Sequence, residues 1–344
     1  MGPDGRRRFL LGLGALLAMP CSHAQQGQKI YQVGILQSAL SEVAGLSDSF
    51  SLLGILLAEH GYVPYGAVSS PVKAGRVRRF SWVSLTARES DRELAALAAE
   101  LVSRKVDVIL AVGAQSTMAA KHATNTIPVV MVIQGDPVRL GLVASLSRPG
   151  ANLTGVTTTA SQLAVKRLEL LREAVPDLTR VAVIRNTRDP EQMDEWQAIE
   201  AAGRQLGIEL RSIEAGSADD LEPMLSGLRE TDAAALLVFS NRFTRSNAAA
   251  IAETAVSRRL PAVYADRAFV SYLNGGLMSY GPVHVELLKR AAKLTAQVLD
   301  GAQPSGLPVE QPSSFELVIN ASAAKAIGLA IPPSLMLRAN QVLE

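Results

Sequence analysis

The chain has 344 residues, enough for about two domains at roughly 150 residues each. Hydrophobic residues make up 48% and aromatic residues 4%, which predicts large aliphatic cores and excludes a disordered chain. Lys+Arg number 34 against 32 Asp+Glu, a balance that gives no reason to expect nucleic acid as a partner.

The N-terminus reads as an export signal. Arg6-Arg7-Arg8 precede a short apolar run from Phe9 to Met19, and Ser22-His23-Ala24 offers small residues for cleavage. That run is shorter than the about 20 residues a spanning helix takes. General secretion and the twin-arginine route both fit the order Arg6-Arg7-Arg8-Phe9-Leu10. A lipoprotein route through Cys21 fits less well, because Pro20 precedes it. Removing residues 1–24 takes away Asp4 and three arginines, so Lys+Arg falls from 34 to 31 and Asp+Glu from 32 to 31. The mature chain is then formally neutral. It also loses Cys21, the single cysteine, and with it any disulfide, thiolate metal site or cysteine nucleophile. No later apolar stretch approaches transmembrane length, so the expected product is a soluble periplasmic monomer.

In chain order, Gln32–Leu36 is a short strand followed by a loop from Gln37 to Gly45, which includes Ser38. Ser47 is placed to cap a helix carrying Leu52, Leu53, Leu56 and Leu57, and Gly61 suits its end. A second strand falls around Arg78–Leu85, and the leucine spacing of Arg88–Ser103 predicts a helix. Val106–Val112 is a continuous oily strand of the kind buried on both faces of a parallel sheet. Helix Ser116–Thr124 and strand Val129–Ile133 follow, then a loop over Ser147–Gly155. The pattern then restarts with helix Gln162–Ala174, strand Arg180–Ile184, helix Glu191–Leu206 ended by Gly207, and strand Ile208–Ile213. It continues with helix Ala218–Arg229, strand Ala233–Phe239, helix Asn247–Arg258 and strand Ala262–Tyr264. Strands alternating with helices of ten or more residues predict parallel sheets with helical crossovers, here as two doubly wound α/β lobes.

In such sheets ligands sit beyond the carboxyl ends of the strands. The loops there are small and polar: Gly113-Ala114-Gln115-Ser116-Thr117, Asp136 before Pro137, Asn186, Ser240-Asn241 and Asp266. Ser116 and Thr117 at a helix start could face an anionic group such as a carboxylate, drawn by unpaired N–H groups and the helix dipole. They could equally be ordinary caps, and Asp136-Pro137 an ordinary turn.

Signals for catalysis are missing. The four histidines have no metal-ligand spacing, and neither G-x-S-x-G nor a phosphate loop occurs. No cofactor or metal is expected, and an enzyme on the same architecture is the weaker alternative. A ligand-sensing receptor feeding a signalling partner stays open.

The strings "KRLELLREAVPDLTRVAVIRN" (166–186), "GGLMSYGP" (275–282), "TIPVVMVIQGDPVRLGLVASLSRPGANLTGVT" and "LPVEQPSSFELVINASAAKAIGLAIPPSLMLRANQVLE" (307–344) carry a resemblance. The chain resembles exported substrate-binding proteins of ABC transporters, in the family that includes tryptophan/tyrosine-binding receptors. The resemblance implies a type I periplasmic-binding-protein fold, two lobes joined by three crossing strands near Asn152–Val156, Ser279–Pro282 and Pro308–Phe315. It implies lobes of 30–153 plus 282–308 and of 154–281 plus 309–344, a small-molecule solute between them, and an ABC permease in the inner membrane as partner. It adds Tyr280, at a crossing, to the ligand loops named above. Around Val63–Ala74 the chain departs from the family's tight turn by about nine extra residues, and the first loop also differs.

Overall fold

The computed structural model describes residues 29–38, 46–67, 77–87, 91–158, 160–187, 189–215, 218–230, 232–271 and 275–344. The expected signal, most of the first loop and most of the Val63–Ala74 segment lie outside these residues.

The first sheet has six parallel strands in the order β2-β3-β1-β4-β5-β6. They are β1 (Ile30–Ser38), β2 (Tyr62–Pro64), β3 (Arg78–Ala87), β4 (Val108–Val112), β5 (Val129–Ile133) and β6 (Leu153–Thr157), with α1 (Leu46–Glu59), α2 (Asp91–Ser103) and α3 (Ala114–Ala123) between them. The strands are apolar throughout because both faces are covered. Val33, Ile35, Val108, Leu110 and Val130 pack on one side against Leu53 and Leu57 of α1. Leu36, Ile109, Ala111, Val129 and Met131 pack on the other against Leu94, Ala98 and Leu101 of α2 and Ala120 of α3. Each such fully buried Leu or Ile contributes roughly 1.5–3 kcal/mol. Gly155 in β6 has φ +150°, and a Cβ there would stand 2.1 Å from the Met131 carbonyl oxygen. Only glycine lets β6 lie this close to β5.

The second sheet has seven strands in the order β13-β12-β11-β10-β9-β7-β8. They are β7 (Arg180–Arg185), β8 (Glu209–Glu214), β9 (Ala235–Val238), β10 (Ala262–Tyr264), β11 (Met278–Pro282), β12 (Phe315–Asn320) and β13 (Gln341–Leu343). Its helices include α4 (Ala160–Ala174), α5 (Pro190–Leu206), α6 (Leu221–Glu230), α7 (Arg242–Ser246) and α8 (Ala248–Ser257). β7 to β11 are parallel, whereas β12 runs antiparallel to β11 and β13 runs with β12.

The reversed strand follows from the path of the chain. After β6 the chain leaves the first sheet for α4. After β11 it returns as α9 (His284–Leu299), whose Leu287, Ala291, Leu294 and Val298 bury against the first sheet. It then re-enters the second sheet as β12, followed by α10 (Ala321–Ile327) and α11 (Pro333–Arg338). These three passes join the two α/β lobes, the doubly wound architecture expected from the sequence.

Most elements fall where periodicity puts them, and three differ informatively. α1 starts at Leu46, so Ser47 lies inside it rather than at its cap. The helix expected over Asn247–Arg258 is preceded by a separate turn, α7, because Asn241 and Thr244 form a reciprocal capping box. β6 overlaps the loop that periodicity predicts over Ser147–Gly155, because Leu153-Thr-Gly-Val-Thr carries a glycine and lacks a long apolar run, and it falls where the resemblance implies a crossing strand.

Candidate functional site

A cavity of about 220 Å³ lies between the strand ends of the two sheets. On the first lobe its wall is set by an abrupt strand-to-helix turn. Gly113 takes φ 89°, a left-handed conformation suited to glycine, and α3 begins at Ala114 with no side-chain cap. The helix therefore starts two residues earlier than expected, and Ser116 and Thr117 sit within its first turn instead of capping it. Ser116, 1% exposed, is one of the cavity's lining residues, and its buried hydroxyl has no hydrogen-bond partner among the described residues.

The second lobe supplies the opposite wall. Asn186 follows β7, and its backbone N–H donates to Gln192 Oε1 at 2.7 Å. Ser240 and Asn241 follow β9, where Asn241 caps α7 and its Nδ2 donates to the Ala215 carbonyl at 3.1 Å. Asp266 follows β10 and accepts from Ala268 N–H at 2.9 Å. Ser279 projects from β11. The hydroxyls of Ser240 and Ser279 are buried and, like Ser116, have no partner among the described residues. Buried polar atoms are nearly always paired, so three serines lining one cavity with unpaired hydroxyls mark a wall able to bond something placed against it.

Of the residues expected from the sequence, Gly113, Ala114, Gln115, Ser116, Asn186, Ser240, Asn241 and Asp266 line this cavity. Thr117, Asp136 and Tyr280 are not among its lining residues. The Thr117 hydroxyl donates back to the Gly113 carbonyl at 2.8 Å. Asp136 Oδ1 accepts from Val138 N–H at 2.8 Å and Arg139 N–H at 3.3 Å, closing the turn before Pro137. Along β11, Ser279 and Gly281 line the cavity, so the two-residue alternation of a strand turns Tyr280 the other way. Its ring there lies 6.2 Å from that of Phe315. Ser38 ends β1 opposite Ala87, and its side chain lies outside the described residues.

The charged groups are where sequence reasoning fell short. Arg245 lines the cavity with its Nε unpartnered and its Nη1 3.8 Å from Asp266 Oδ2. Burial lowers its pKa, opposed by the Asp266 carboxylate. Burial also lowers the pKa of His284. At the start of α5, Asp189 accepts from Glu191 N–H at 2.9 Å as the helix cap. Burial, reinforced by Glu191, pushes Asp189 up to about 7. One turn on, burial pushes Glu195 up to about 7 against the opposing Arg167 guanidinium.

Glu191 belongs to the second lobe, yet its partners belong to the first. Its Oε1 accepts from the backbone N–H groups of Gln134 and Gly135, both at 2.7 Å, and its Oε2 accepts from that of Ala114 at 3.3 Å. Burial raises its pKa against the lowering effect of these three donors. The start of α3 does receive a carboxylate, and that carboxylate is the protein's own. Asp189-Pro190-Glu191 reads as an ordinary capped helix start with an acid in its first turn, so nothing in the string says that Glu191 points across a cleft. Arg139 of the first lobe adds a second bridge, to Asp194 Oδ1 at 3.0 Å and Gln197 Oε1 at 3.3 Å.

Among the described residues no group of three His, Cys, Asp or Glu is placed to hold a metal ion, and no helix is long and apolar enough to cross a membrane.

Two α/β lobes, linked by three passes of chain and facing each other across a cavity, define the type I periplasmic-binding-protein fold. Residues 72–343 match the family of ABC transporter substrate binding proteins, and the chain belongs to that family. It is similar to a tyrosine-binding protein of Clostridioides difficile (strain R20291), 28% identical over 235 residues that cover 68% of this chain and 66% of the relative's length. Among solved structures it is similar to a conserved domain protein from Vibrio cholerae, with TM-score 0.79, 22% identity and coverage of 91% of this chain and 100% of that one. It is also similar to an ABC domain in complex with L-Trp from Streptococcus pneumonia, with TM-score 0.76, 23% identity and coverage of 90% and 100%.

Proposed function

We propose that the protein is an extracytoplasmic receptor that captures a small polar or carboxylate-bearing solute, an amino acid in the first instance, and delivers it to an ABC permease in the inner membrane. The chain passes between the lobes after β6, after β11 and before β12, so β6 and α9 belong to the first lobe and β12 to the second. The observation that carries this reading is the interlobe cavity, with three unpartnered buried hydroxyls and the unpartnered Nε of Arg245.

These groups suit the parts of an amino acid. Arg245, with Ser240 and Ser279, can hold a carboxylate through charge-assisted hydrogen bonds. Asp189 and Asp266 can accept from an ammonium group, and Val132, Phe243 and Leu287 offer apolar wall to the rest of the solute. A tyrosine-binding relative and an L-Trp complex of similar fold support the same class.

The mechanism is capture rather than chemistry. Solute binds between the lobes, and the closed form is favoured in proportion to its tighter hold on the solute. Closed and open forms present different surfaces, which lets a permease distinguish loaded from empty receptor. A thermal-shift screen with L-tyrosine and L-tryptophan, then other amino acids, organic acids, sugars and nucleosides, tests the reading. A true ligand at one hundred times its Kd adds about 2.7 kcal/mol of stability. A screen in which no solute raises Tm would overturn it.

A further inference from the structure

The backbone amides of Ala114, Gln134 and Gly135 converge on one corner of the cleft, at the uncapped start of α3. α3 has no acidic residue in its own first turn. Ser116 lines the same cavity as Ala114 and Gln134, and its buried hydroxyl has no partner among the described residues. Such a corner is receptive to an anion, and the carboxyl group of Glu191 occupies it from the other lobe. The fit is close: a Cβ on Gly135 would come within 3.1 Å of Glu191 Cγ.

We propose that Glu191 is a built-in occupant of this corner, with two consequences. Without any solute, its carboxyl group holds the lobes together by supplying acceptors to three amides of the first lobe. It also reserves the corner against a carboxylate carried by the solute, which is directed instead to the Arg245 side of the cavity. Glu191 is thus a specificity-determining residue, and this second consequence rests on the receptor reading above.

The test uses solute-free protein. Wild type, Glu191→Gln and Glu191→Ala are compared by amide hydrogen exchange and small-angle scattering, with acetate as the probe anion and acetamide as its uncharged control. In Glu191→Ala the Gln134 and Gly135 amides exchange about tenfold faster or more, as expected for lost hydrogen bonds to a carboxyl group, and the radius of gyration rises. Acetate, but not acetamide, slows exchange at Gln134 and Gly135 again but leaves the radius raised, because an untethered anion fills the corner without bridging the lobes, and wild type responds to neither. Glu191→Gln keeps the shape but turns one acceptor into a donor facing Ala114 N–H, and it loosens in the same direction. Unchanged exchange and radius in both variants would overturn the latch. Amide exchange that acetate does not slow would overturn the reserved anion corner. If Glu191→Ala does not fold, as judged by circular dichroism, Glu191→Gln alone decides the latch. Acetate is then tried on Glu191→Ser, in which the corner is also vacated. Because no solute enters the latch measurement, its failure is separable from failure of the receptor reading, which shows as an absence of solute binding to wild type.

Discussion

Arg167 Nη1 lies 3.3 Å from Glu195 Oε2, with the two side chains 2% and 1% exposed. The same guanidinium donates through Nε to the Tyr280 carbonyl at 2.8 Å, so it ties α4 and α5 to β11 directly behind the cavity wall. Removing one member of a buried pair strands the other in a medium that solvates it poorly. Arg167→Met is expected to lose about 3 kcal/mol of stability at pH 8. The loss is smaller at pH 6, where the stranded Glu195 takes up a proton. Urea denaturation at the two pH values checks this, and an equal or greater loss at pH 6 contradicts it.

Asp189 gives a pH dependence with a definite sign. Its folded pKa is pushed up to about 7 from an ordinary 3.8, by burial first and by Glu191 second. A raised acid binds more protons folded than unfolded, so its contribution is full below 3.8 and is lost as pH rises through about 7. Asp189→Asn keeps the capping acceptor without the charge. The variant and wild type should have similar Tm at pH 3.5, below both pKa values, with the variant increasingly the more stable up to pH 8. A difference that does not grow with pH, measured by calorimetry, counts against the shift.

The unpartnered hydroxyls separate binding from folding. Ser240→Ala and Ser279→Ala remove buried polar atoms that have no partner among the described residues, so Tm should hold or rise. Affinity for the bound amino acid should fall roughly tenfold for each. Isothermal titration beside thermal melts reads both quantities. Lower Tm with unchanged affinity would assign the serines to the scaffold.

Gly155→Ala tests the contact between β5 and β6. Its Cβ would collide with the Met131 carbonyl, 2.1 Å away, at a φ that side chains avoid. The expected loss is about 2 kcal/mol or more, seen as a lower urea midpoint. A loss under about 0.5 kcal/mol would show that the strands can part at no cost.

The fold was legible because strand burial and helix spacing are local signals. Val106–Val112 could be read as a strand covered on both faces, and Gly207 as a helix end, from neighbours a few residues away. The cleft was legible in outline for the same reason, since small polar groups follow β4, β7, β9 and β10. Its charges were not. Whether Arg245 lies bare in a cavity, or Arg167 meets Glu195, depends on packing between segments far apart in the chain. Asp136, Thr117 and Tyr280 show the converse, because residues of the right type in the right loops satisfied themselves locally or faced away from the cavity. Glu191 is the extreme case, an ordinary helix-start acid whose carboxyl group bonds to amides of the other lobe.

The most direct measurement is calorimetric titration of the protein with L-tyrosine and L-tryptophan, followed by recovery of the bound amino acid and its analysis by mass spectrometry. The account predicts saturable one-to-one binding of one of them, or of a solute found in the wider screen, with the solute recovered chemically intact. Sustained conversion of the solute, or no saturable binding by any member of that screen, would contradict it.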